Sequence, residues 1–550
     1  MDPLKKLSLV AISFVLAMAS ADGAERSIKI NRQYLNFPVS HSLERKAMTF
    51  TVDGRKESRS VIRLAEGAAD YWTFRDVSQL RGKTIKITYE GSQKALDNIV
   101  LADSIMGGSM IYHESSRPQY HFTTRRGWIN DPNGLIFYRG KYHMFYQHNP
   151  YERDWENMHW GHTVSTDLIH WDEQPLALHP DEIGTMFSGT AVIDYSNTSG
   201  FGRGKDNPAF VVFYTADSPS AQRQCMAYSL DEGRTFTKYE GNPIIDSHEK
   251  WQSHDTRDPK VLWYAPGKHW SMVLNERDGH SIYTSSNLKD WTYQSHLTGL
   301  WECPELFELP VEGNPSERKW VMWGASGTYM VGDFDGKVFT PITPKQQNLI
   351  GSAYAAQTFS NIPQSDGRVI KMAWSRLGFG DAPFNGLMLL PQEQVLVRTH
   401  FGGWQLLSRP ARETESIFTL AEQGENLTAD QANALLSRHN SDLLRIRFTI
   451  ELTYAIDAGL SYNGQRLVDY DMNSNRLNGQ FYAPDVPGSM LLTADVYVDR
   501  SVVEVYADGG RMSDSFSLKS PATNTDGYRI FGKDVKVKKL EVFNASSIWK

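Results

Sequence analysis

Three acidic side chains lie in turn-forming motifs, and the first of them is the most constrained. Asp131 occupies the run Asn130-Asp131-Pro132-Asn133-Gly134. Pro132 fixes its own φ and disfavours the helical region for the residue before it, and Asn133-Gly134 tolerates positive φ. The backbone therefore aims the Asp131 carboxylate, as acid–base or nucleophilic chemistry requires. The alternative is a plain turn before a strand, and this motif alone does not decide between them.

Two further acids follow downstream: Asp258 lies in Arg257-Asp258-Pro259, and Glu302 lies in Trp301-Glu302-Cys303-Pro304. In this order and at this spacing the three motifs resemble the signatures of glycoside hydrolase family 32, the invertases, inulinases and levanases that cleave β-fructofuranosides. The resemblance runs from about residue 118 to the C-terminus. Other matching landmarks are the segments 146–147, 155–162, 187–190, 331–336 and 354–359.

The resemblance implies a role for each acid. Cleavage of a glycosidic bond needs a proton for the departing oxygen and stabilisation of an oxocarbenium-like centre. By carry-over, Asp131 is the nucleophile that attacks the anomeric C2 of fructose, Glu302 is the general acid and later the base, and Asp258 binds fructose ring hydroxyls. This assignment predicts retention of configuration, for which the two reacting carboxyl groups stand about 5–5.5 Å apart.

The resemblance also implies a set of substrate-binding side chains. Polar members donate to or accept from fructose hydroxyls, aromatic members form apolar walls, and the arginine pairs with acids. For each residue the alternative is a place in the core or behind the site. The expected set is Asn130, Gln147, Trp155, Phe187, Ser188, Arg257, Tyr354 and Trp374.

Neither a metal nor a cofactor is expected. His159 and His162 are close in sequence, but residues three apart on a strand face opposite sides of the sheet, so they do not share an ion there. The two cysteines, Cys225 and Cys303, are expected as free thiols. A nucleophilic role for Cys303 is the alternative, and no signature of a Cys/His protease accompanies it.

The elements that position these residues are strand-like. Between about 118 and 407 short apolar segments alternate with turn residues, and the landmarks recur about every 45 to 70 residues, close to one four-stranded propeller blade. We therefore predict an all-β protein whose catalytic domain, 113–410, is a five-bladed β-propeller; the blade number follows from the resemblance, and a large sandwich is the alternative. Inner propeller strands bring residues distant in sequence to one channel.

Smaller β domains are predicted on both sides. Short alternating runs bounded by Gly and Asp indicate an N-terminal β-sandwich at 25–112, either an accessory carbohydrate-binding module or a structural spacer. A short acidic, partly helical connection is predicted at 414–436. Alternation then returns, and a C-terminal β-sandwich domain is predicted at 415–550. Glu504 resembles a catalytic acid in isolation, but its strand–turn setting favours a structural role.

Composition excludes several classes of function. A formal charge of −7 with scattered Lys and Arg gives no footprint for nucleic acid or an anionic membrane. Lys5-Lys6, an apolar run over 7–19 and Ala19-Ser20-Ala21 predict a signal peptide at 1–21, hence export to the periplasm or the medium. We find no later apolar run long enough for a membrane span, and no cysteine that would carry a lipid anchor.

The sequence thus predicts an exported, retaining, exo-acting β-fructofuranosidase that removes terminal fructose from levan, inulin and sucrose-type oligosaccharides. An endo-levanase, a fructosyl-transferring enzyme and a fructan-binding protein without catalysis are the alternatives. The preference between β-2,1 and β-2,6 linkages and the oligomeric state stay open.

Overall fold

The fold is all-β. The computed structural model describes residues 23–57, 59–204, 206–452, 456–482, 490–519 and 526–549, and the expected signal peptide lies outside these ranges. They hold 42 strands, numbered in chain order, and three short α-helices: α1 (Gln93–Asp97), α2 (His248–Trp251) and α3 (Ala429–Leu436). Single 3-10 turns occur at Ser78–Leu80, Gly108–Met110, Arg412–Ile417 and Asp508–Gly510. Within the described ranges, none of the helices is both long and apolar enough to cross a bilayer.

The N-terminal region forms two antiparallel sheets around its own core. One has the order β1-β7-β3-β4 with β5 on β3, and the other has the order β6-β2-β8. In β7 Ile85, Ile87 and Tyr89 alternate with exposed residues and turn inward, as a half-buried strand requires. The strands are β1 (Ala24–Lys29), β2 (Tyr34–Val39), β3 (Lys46–Val52), β4 (Arg55–Lys56), β5 (Ser60–Ile62), β6 (Tyr71–Asp76), β7 (Thr84–Tyr89) and β8 (Val100–Ala102).

The central region consists of consecutive antiparallel sheets. Its first three sheets have the orders β12-β11-β10-β9-β28, β13-β14-β15-β16 and β17-β18-β19-β20. Their strands are β9 (Gly127–Tyr138), β10 (Lys141–Asn149), β11 (His159–Ser165), β12 (Asp172–Leu178), β13 (Thr185–Asp194), β14 (Ala209–Asp217), β15 (Gln222–Ser229), β16 (Thr237–Lys238), β17 (Thr256–Tyr264), β18 (His269–Glu276), β19 (Gly279–Ser285) and β20 (Thr292–Thr298).

The next strands form one ten-stranded sheet. It contains the antiparallel run β21-β22-β23-β24 and the group β26-β27-β30-β31, and one parallel pair, Val311 with Leu396, joins the two halves. Its strands are β21 (Glu305–Val311), β22 (Asn314–Trp323), β23 (Thr328–Phe334), β24 (Phe339–Pro341), β25 (Gln346–Gln347), β26 (Ala353–Thr358), β27 (Val369–Ser375), β29 (Leu387–Met388), β30 (Gln392–Arg398) and β31 (Trp404–Pro410).

The last segment of the central region returns to its first strand. β28 (Phe384–Asn385) pairs in parallel with Gly127 and Trp128 of β9. A single parallel bridge between Ile136 and Ser360 adds a second link between the first strand and the last part of this region. The last part of this region thus pairs with its first strand. The first strands of neighbouring sheets also lie together, since β9 contacts β13 and β26, and β13 contacts β17. We call β9, β13, β17, β21 and β26 the inner strands.

The C-terminal region is a pair of antiparallel sheets with the orders β32-β42-β33-β38-β39-β40 and β37-β36-β35-β34-β41. Helix α3 has a full capping box, since Thr428 accepts from the Gln431 backbone and Gln431 reaches back to the Thr428 backbone. The strands are β32 (Phe418–Thr428), β33 (Leu443–Glu451), β34 (Asp457–Tyr462), β35 (Gln465–Asp471), β36 (Arg476–Leu477), β37 (Gln480–Phe481), β38 (Leu491–Asp499), β39 (Val502–Ala507), β40 (Met512–Ser517), β41 (Tyr528–Gly532) and β42 (Lys536–Ala545).

A buried ionic link ties the C-terminal sheets to the start of the central region. His121 lies between two carboxylates: its Nδ1 is 2.8 Å from Asp499 Oδ2 and its Nε2 is 2.7 Å from Glu504 Oε1. Glu504 also accepts from the Leu390 backbone and from the Tyr506 hydroxyl. The two carboxylates raise the pKa of His121 to about 9 although burial opposes this. Glu504 thus has the structural setting expected for it.

The His121 link gives a pH-dependent stability. Because the folded pKa of His121 is raised from 6.5 to about 9, its contribution is complete below pH 6.5 and is lost as the pH rises through about 9, by up to about 3 kcal/mol. We expect His121→Gln to lower the melting temperature by several degrees at pH 6 and by much less at pH 10. Thermal melts of both proteins across this range test it. A difference that stays constant with pH would contradict the charged link.

Candidate active site

The expected nucleophile lies in an irregular stretch of the first inner strand. Pro132 pairs with Tyr146 and Ile129 pairs with His148, so the two residues Asn130 and Asp131 stand opposite one residue, Gln147. Such a bulge turns side chains out of the regular alternation. The Asp131 carboxylate accepts from Ser188 Oγ at 2.6 Å, from Asn130 Nδ2 at 3.1 Å and from Gln147 Nε2 at 3.3 Å.

Three other inner strands are irregular at the same level. Ser188 is an extra residue of β13, between the pairs of Phe187 and Gly189. In β17 the register shifts between Arg257 and Lys260, and this shift contains Asp258. In β26 it shifts directly after Tyr354. The site residues thus lie where the strand ladders are interrupted, which allows adjacent residues of one strand to reach the same pocket.

Glu302 lies in the segment that precedes β21. Glu302 and Cys303 both have left-handed backbone conformations, with φ of 52° and 37°, and Asp258 has φ of 65°. Each such non-glycine residue costs on the order of 1 kcal/mol or more, so surrounding contacts must hold it. The Glu302 amide donates to Asn275 Oδ1 at 2.9 Å, and the Cys303 amide donates to Asp258 Oδ2 at 3.0 Å.

Cys303 connects the three acids. Its Sγ lies 3.5 Å from Asp131 Oδ2 and 3.6 Å from Asp258 Oδ2, and its own backbone follows Glu302. The protonated thiol is a weak donor that separates two like charges. Burial and the neighbouring Asp258, Asp131 and Glu302 carboxylates raise the pKa of the thiol well above its usual value.

Repulsion and burial shift the acids themselves. Burial raises the pKa of Asp131, against the donors Ser188 and Asn130. Burial, with a contribution from the Asp131 charge, raises the pKa of Asp258 to about 7, although the Arg257 guanidinium opposes this. At neutral pH Asp258 is therefore near the midpoint of its titration, which limits the negative charge of the pocket.

Glu302 has one strong donor on each carboxyl oxygen. Arg257 Nη2 donates to Oε1 at 2.7 Å, and the Tyr354 hydroxyl donates to Oε2. Burial and the Glu302 charge raise the pKa of the Tyr354 phenol, which keeps it a donor. Arg257 is itself held by Asp255 and Gln222 and lies 3.8 Å from Asp258.

Aromatic side chains form the walls. The Trp128 indole donates to Asn130 Oδ1 at 2.8 Å and packs edge-on to Trp374, which in turn meets Tyr354. On another side Trp155, half exposed, stands edge-on to Phe187 with ring centroids 6.1 Å apart. Direct contacts or chain adjacency, with Cys303 and Trp128 as links, thus connect all eleven residues singled out in the sequence.

Comparisons with known proteins identify the family of this chain. The model of the glycosyl hydrolases family 32 N-terminal domain matches residues 121–410. The chain belongs to this family. It is 38% identical over 493 residues to a levanase of Bacillus subtilis, covering 80% of this chain and 72% of that protein. It is 31% identical to an extracellular exo-inulinase of Aspergillus niger, covering 80% and 96%. A β-fructofuranosidase of Schwanniomyces occidentalis, solved with fructosyl-erythritol, superposes with a TM-score of 0.69 at 26% identity over 80% of this chain and 99% of that one.

Sequence reasoning missed several residues that shape this family 32 site. Asn275 holds the Glu302 backbone, Thr215 Oγ1 accepts from the Asp258 amide at 2.9 Å, and Trp128 orients Asn130. Asn275 and Thr215 are fully buried polar residues on second strands. Trp128 could have been recognised from the sequence, since it lies two residues before Asn130. Asn275 and Thr215 have no distinctive sequence neighbours.

The histidines considered as metal ligands have separate surroundings. His162 Nε2 lies 3.1 Å from His143 Nδ1, whereas His159 Nδ1 contacts the Asn157 carbonyl. Burial lowers the pKa of both His159 and His162 well below the usual value. They are neutral core residues on opposite faces of β11.

The two thiols of this family 32 enzyme are predicted to be unreactive. Burial raises the pKa of Cys225 to about 12, and Cys303 faces carboxylates that disfavour both its thiolate and an anionic reagent. We expect no reaction of the native protein with 5,5′-dithiobis(2-nitrobenzoate) at pH 8 and reaction of both cysteines after denaturation. Rapid release of one equivalent of thionitrobenzoate by the native protein would show that Cys303 is an activated thiol.

Proposed function

We propose that this enzyme is an exported, retaining, exo-acting β-fructofuranosidase that hydrolyses terminal fructosyl residues of levan, inulin and sucrose-type oligosaccharides. The convergence of Asp131 from β9, Asp258 from β17 and Glu302 from the segment before β21 carries the proposal. These acids occupy the positions of the family motifs, and the names of the relatives supply the substrate class. A binding protein without catalysis would not need all three acids beside one another.

Asp131 is assigned the nucleophile. Its carboxylate oxygen attacks the anomeric C2 while the bond from C2 to the leaving oxygen breaks, which gives a fructosyl ester. Ser188 and Gln147 approach Oδ2, and Asn130 approaches Oδ1. These donors favour the ionised form against burial, and they hold the carboxylate in one orientation.

Glu302 is assigned the acid and then the base. It gives its proton to the departing oxygen, and the resulting carboxylate keeps the Arg257 guanidinium on Oε1 and the Tyr354 hydroxyl on Oε2. In the second half of the reaction Glu302 takes a proton from water, whose oxygen attacks C2 and releases Asp131. These two donors thus stabilise the carboxylate that forms in each cycle when Glu302 gives up its proton.

Asp258 is assigned to grip ring hydroxyls of fructose. With a pKa of about 7, it shares the pocket with Asp131 without placing a full additional charge there. A substrate hydroxyl that donates to its carboxylate would strengthen this contact as positive charge develops on the ring. Trp155, Phe187, Trp128 and Trp374 supply apolar faces around the sugar.

The proposal includes a five-bladed arrangement of the central region. We assign the ten-stranded sheet as two blades joined by the single Val311–Leu396 pair, which makes the central region, 113–410, a five-bladed propeller. The flanking units are then an N-terminal domain at 25–112 and a C-terminal sandwich at 415–550. The relatives named extracellular and the expected signal peptide support export, to the periplasm or the medium.

Replacing either reacting acid tests the assignment. We expect Asp131→Asn and Glu302→Gln each to lower kcat/KM on sucrose or inulin by about 1,000-fold or more, with an unchanged melting temperature, because both changes conserve volume. Matched controls are Asp333→Asn and Glu308→Gln, acids of outer ion pairs with Lys319 and Arg318. Near-normal rates for either site variant would show that the pair is misassigned.

Product analysis tests the mode of action. An exo-acting enzyme releases fructose alone from levan and inulin from the first minutes, whereas an endo-levanase produces a ladder of oligosaccharides. In methanol–water mixtures a retaining enzyme forms the methyl β-fructofuranoside, because methanol competes with water for the same fructosyl ester. A ladder of oligosaccharides would replace the exo assignment with an endo one. Formation of the methyl α-fructofuranoside would exclude Asp131 as the nucleophile. Inactivity on levan, inulin and sucrose would favour a binding protein.

A further inference from the structure

The connection from β10 to β11 has most of its side-chain anchors in the N-terminal domain, beside hydrogen bonds from Asn149 and Arg153 within the central region. Of the seven residues 151–157, six contact that domain, and the seventh, Trp155, meets Phe187 beside the candidate active site. We propose that the N-terminal domain positions Trp155 and thereby sets the affinity for substrate at the pocket mouth. This inference rests on the proposed function, and it gives the domain a role other than a spacer or an independent sugar-binding module.

Tyr151 anchors the start of the connection. Its ring is fully buried within the core of the N-terminal domain, 5.4 Å from the Phe37 ring and stacked at 5.9 Å on Phe50. The Thr73 hydroxyl donates to its backbone carbonyl at 3.1 Å. A central-domain side chain thus completes the core of a neighbouring domain, so the two cannot shift independently at this point.

A charge cluster holds the next residues. The Glu152 side chain is completely buried and receives Arg45 Nε at 2.9 Å, Arg63 Nη1 at 2.7 Å and the Arg63 amide at 2.8 Å. The same two arginines donate to Asp154 at 2.9 and 3.0 Å, and Arg45 lies 3.7 Å from Glu156. A buried carboxylate with charged donors has few alternative positions, because moving away from a donor would leave a buried charge without a partner.

Asn157 fixes the end of the connection. Its Oδ1 accepts from the Val61 amide at 2.8 Å and its Nδ2 donates to the Val61 carbonyl at 2.8 Å. This side chain pairs with the edge of β5 as a neighbouring strand would. Asn157 has a left-handed backbone with φ of 48°, a conformation that asparagine tolerates, and the paired amide keeps it there.

Trp155 lies between these anchors and faces the pocket. Phe187, which its ring meets edge-on, directly precedes Ser188, and Ser188 donates to Asp131. A free connection of this length would lose conformational entropy when a sugar orders the indole. Anchoring by the N-terminal domain removes that cost before substrate arrives. Arg153 links the connection to both domains: its amide donates to the Tyr71 hydroxyl at 3.3 Å, and its guanidinium donates to the Gly380 carbonyl at 2.7 Å in the loop after Trp374.

Arg45→Gln is the variant that loosens the connection with the smallest disturbance. It removes contacts to Glu152, Asp154 and Glu156 and leaves Arg63 to neutralise the buried Glu152. We expect KM for an inulin-type trisaccharide to rise about 3- to 10-fold with kcat within twofold, and amide hydrogen exchange over 151–157 to accelerate. The matched control is Arg32→Gln, which removes an exposed ion pair with Asp103 elsewhere in this domain and leaves KM and exchange unchanged.

A double-mutant cycle with Trp155→Ala separates positioning from general destabilisation. If the domain acts through the indole, Arg45→Gln changes KM by less than about 1.5-fold once Trp155 is alanine. An equal KM effect in both backgrounds, or no KM effect of Arg45→Gln in the native background, overturns the inference. Hydrogen exchange needs no substrate, so faster exchange in a protein that cleaves no fructan would sink the proposed function and not the anchoring.

Discussion

Three carboxylates share one partly buried site, and the structure around them limits their mutual repulsion. Two unit charges 4 Å apart interact by about 4 kcal/mol at an effective dielectric constant near 20. Asp258 avoids part of this cost through a pKa of about 7, Cys303 places a neutral thiol between Asp131 and Asp258, and Arg257 contacts both Asp258 and Glu302. Each of these contacts depends on the relative positions of the groups, and left-handed residues and buried hydrogen bonds hold the acids there.

The same demand for position extends beyond the pocket. The inner strands bring side chains into reach, but groups behind them come from second strands: the Asn275 side chain accepts from the Glu302 amide, and the Thr215 hydroxyl accepts from the Asp258 amide. The connection that carries Trp155 relies on the N-terminal domain. Regions that supply no reacting group therefore contribute to the geometry in which the reaction takes place.

Much of the site was predictable because its acids lie in short motifs with unusual backbone requirements. Asp131 before Pro132 and Glu302 before Cys303-Pro304 can be recognised from their immediate sequence neighbours. The alternation of apolar and polar residues likewise indicated an all-β fold. Strand β32 was not predicted: 414–436 was expected to be a partly helical connection, but Phe418–Thr428 is an edge strand with mostly exposed residues, so no buried face marks it. Contacts such as Arg45 with Glu152, more than 100 residues apart, depend on domain packing that no local pattern encodes.

The interrupted ladders have a consequence for strand length. Asn130-Asp131, Ser188 and Asp258 each occupy a place where one strand has an extra residue relative to its neighbour. Deleting one residue there would restore regular pairing and turn the following side chains to the other face of the sheet. We therefore expect a one-residue deletion in these stretches to displace the site residues, whereas a change of length in an outer hairpin leaves the register of the inner strands intact.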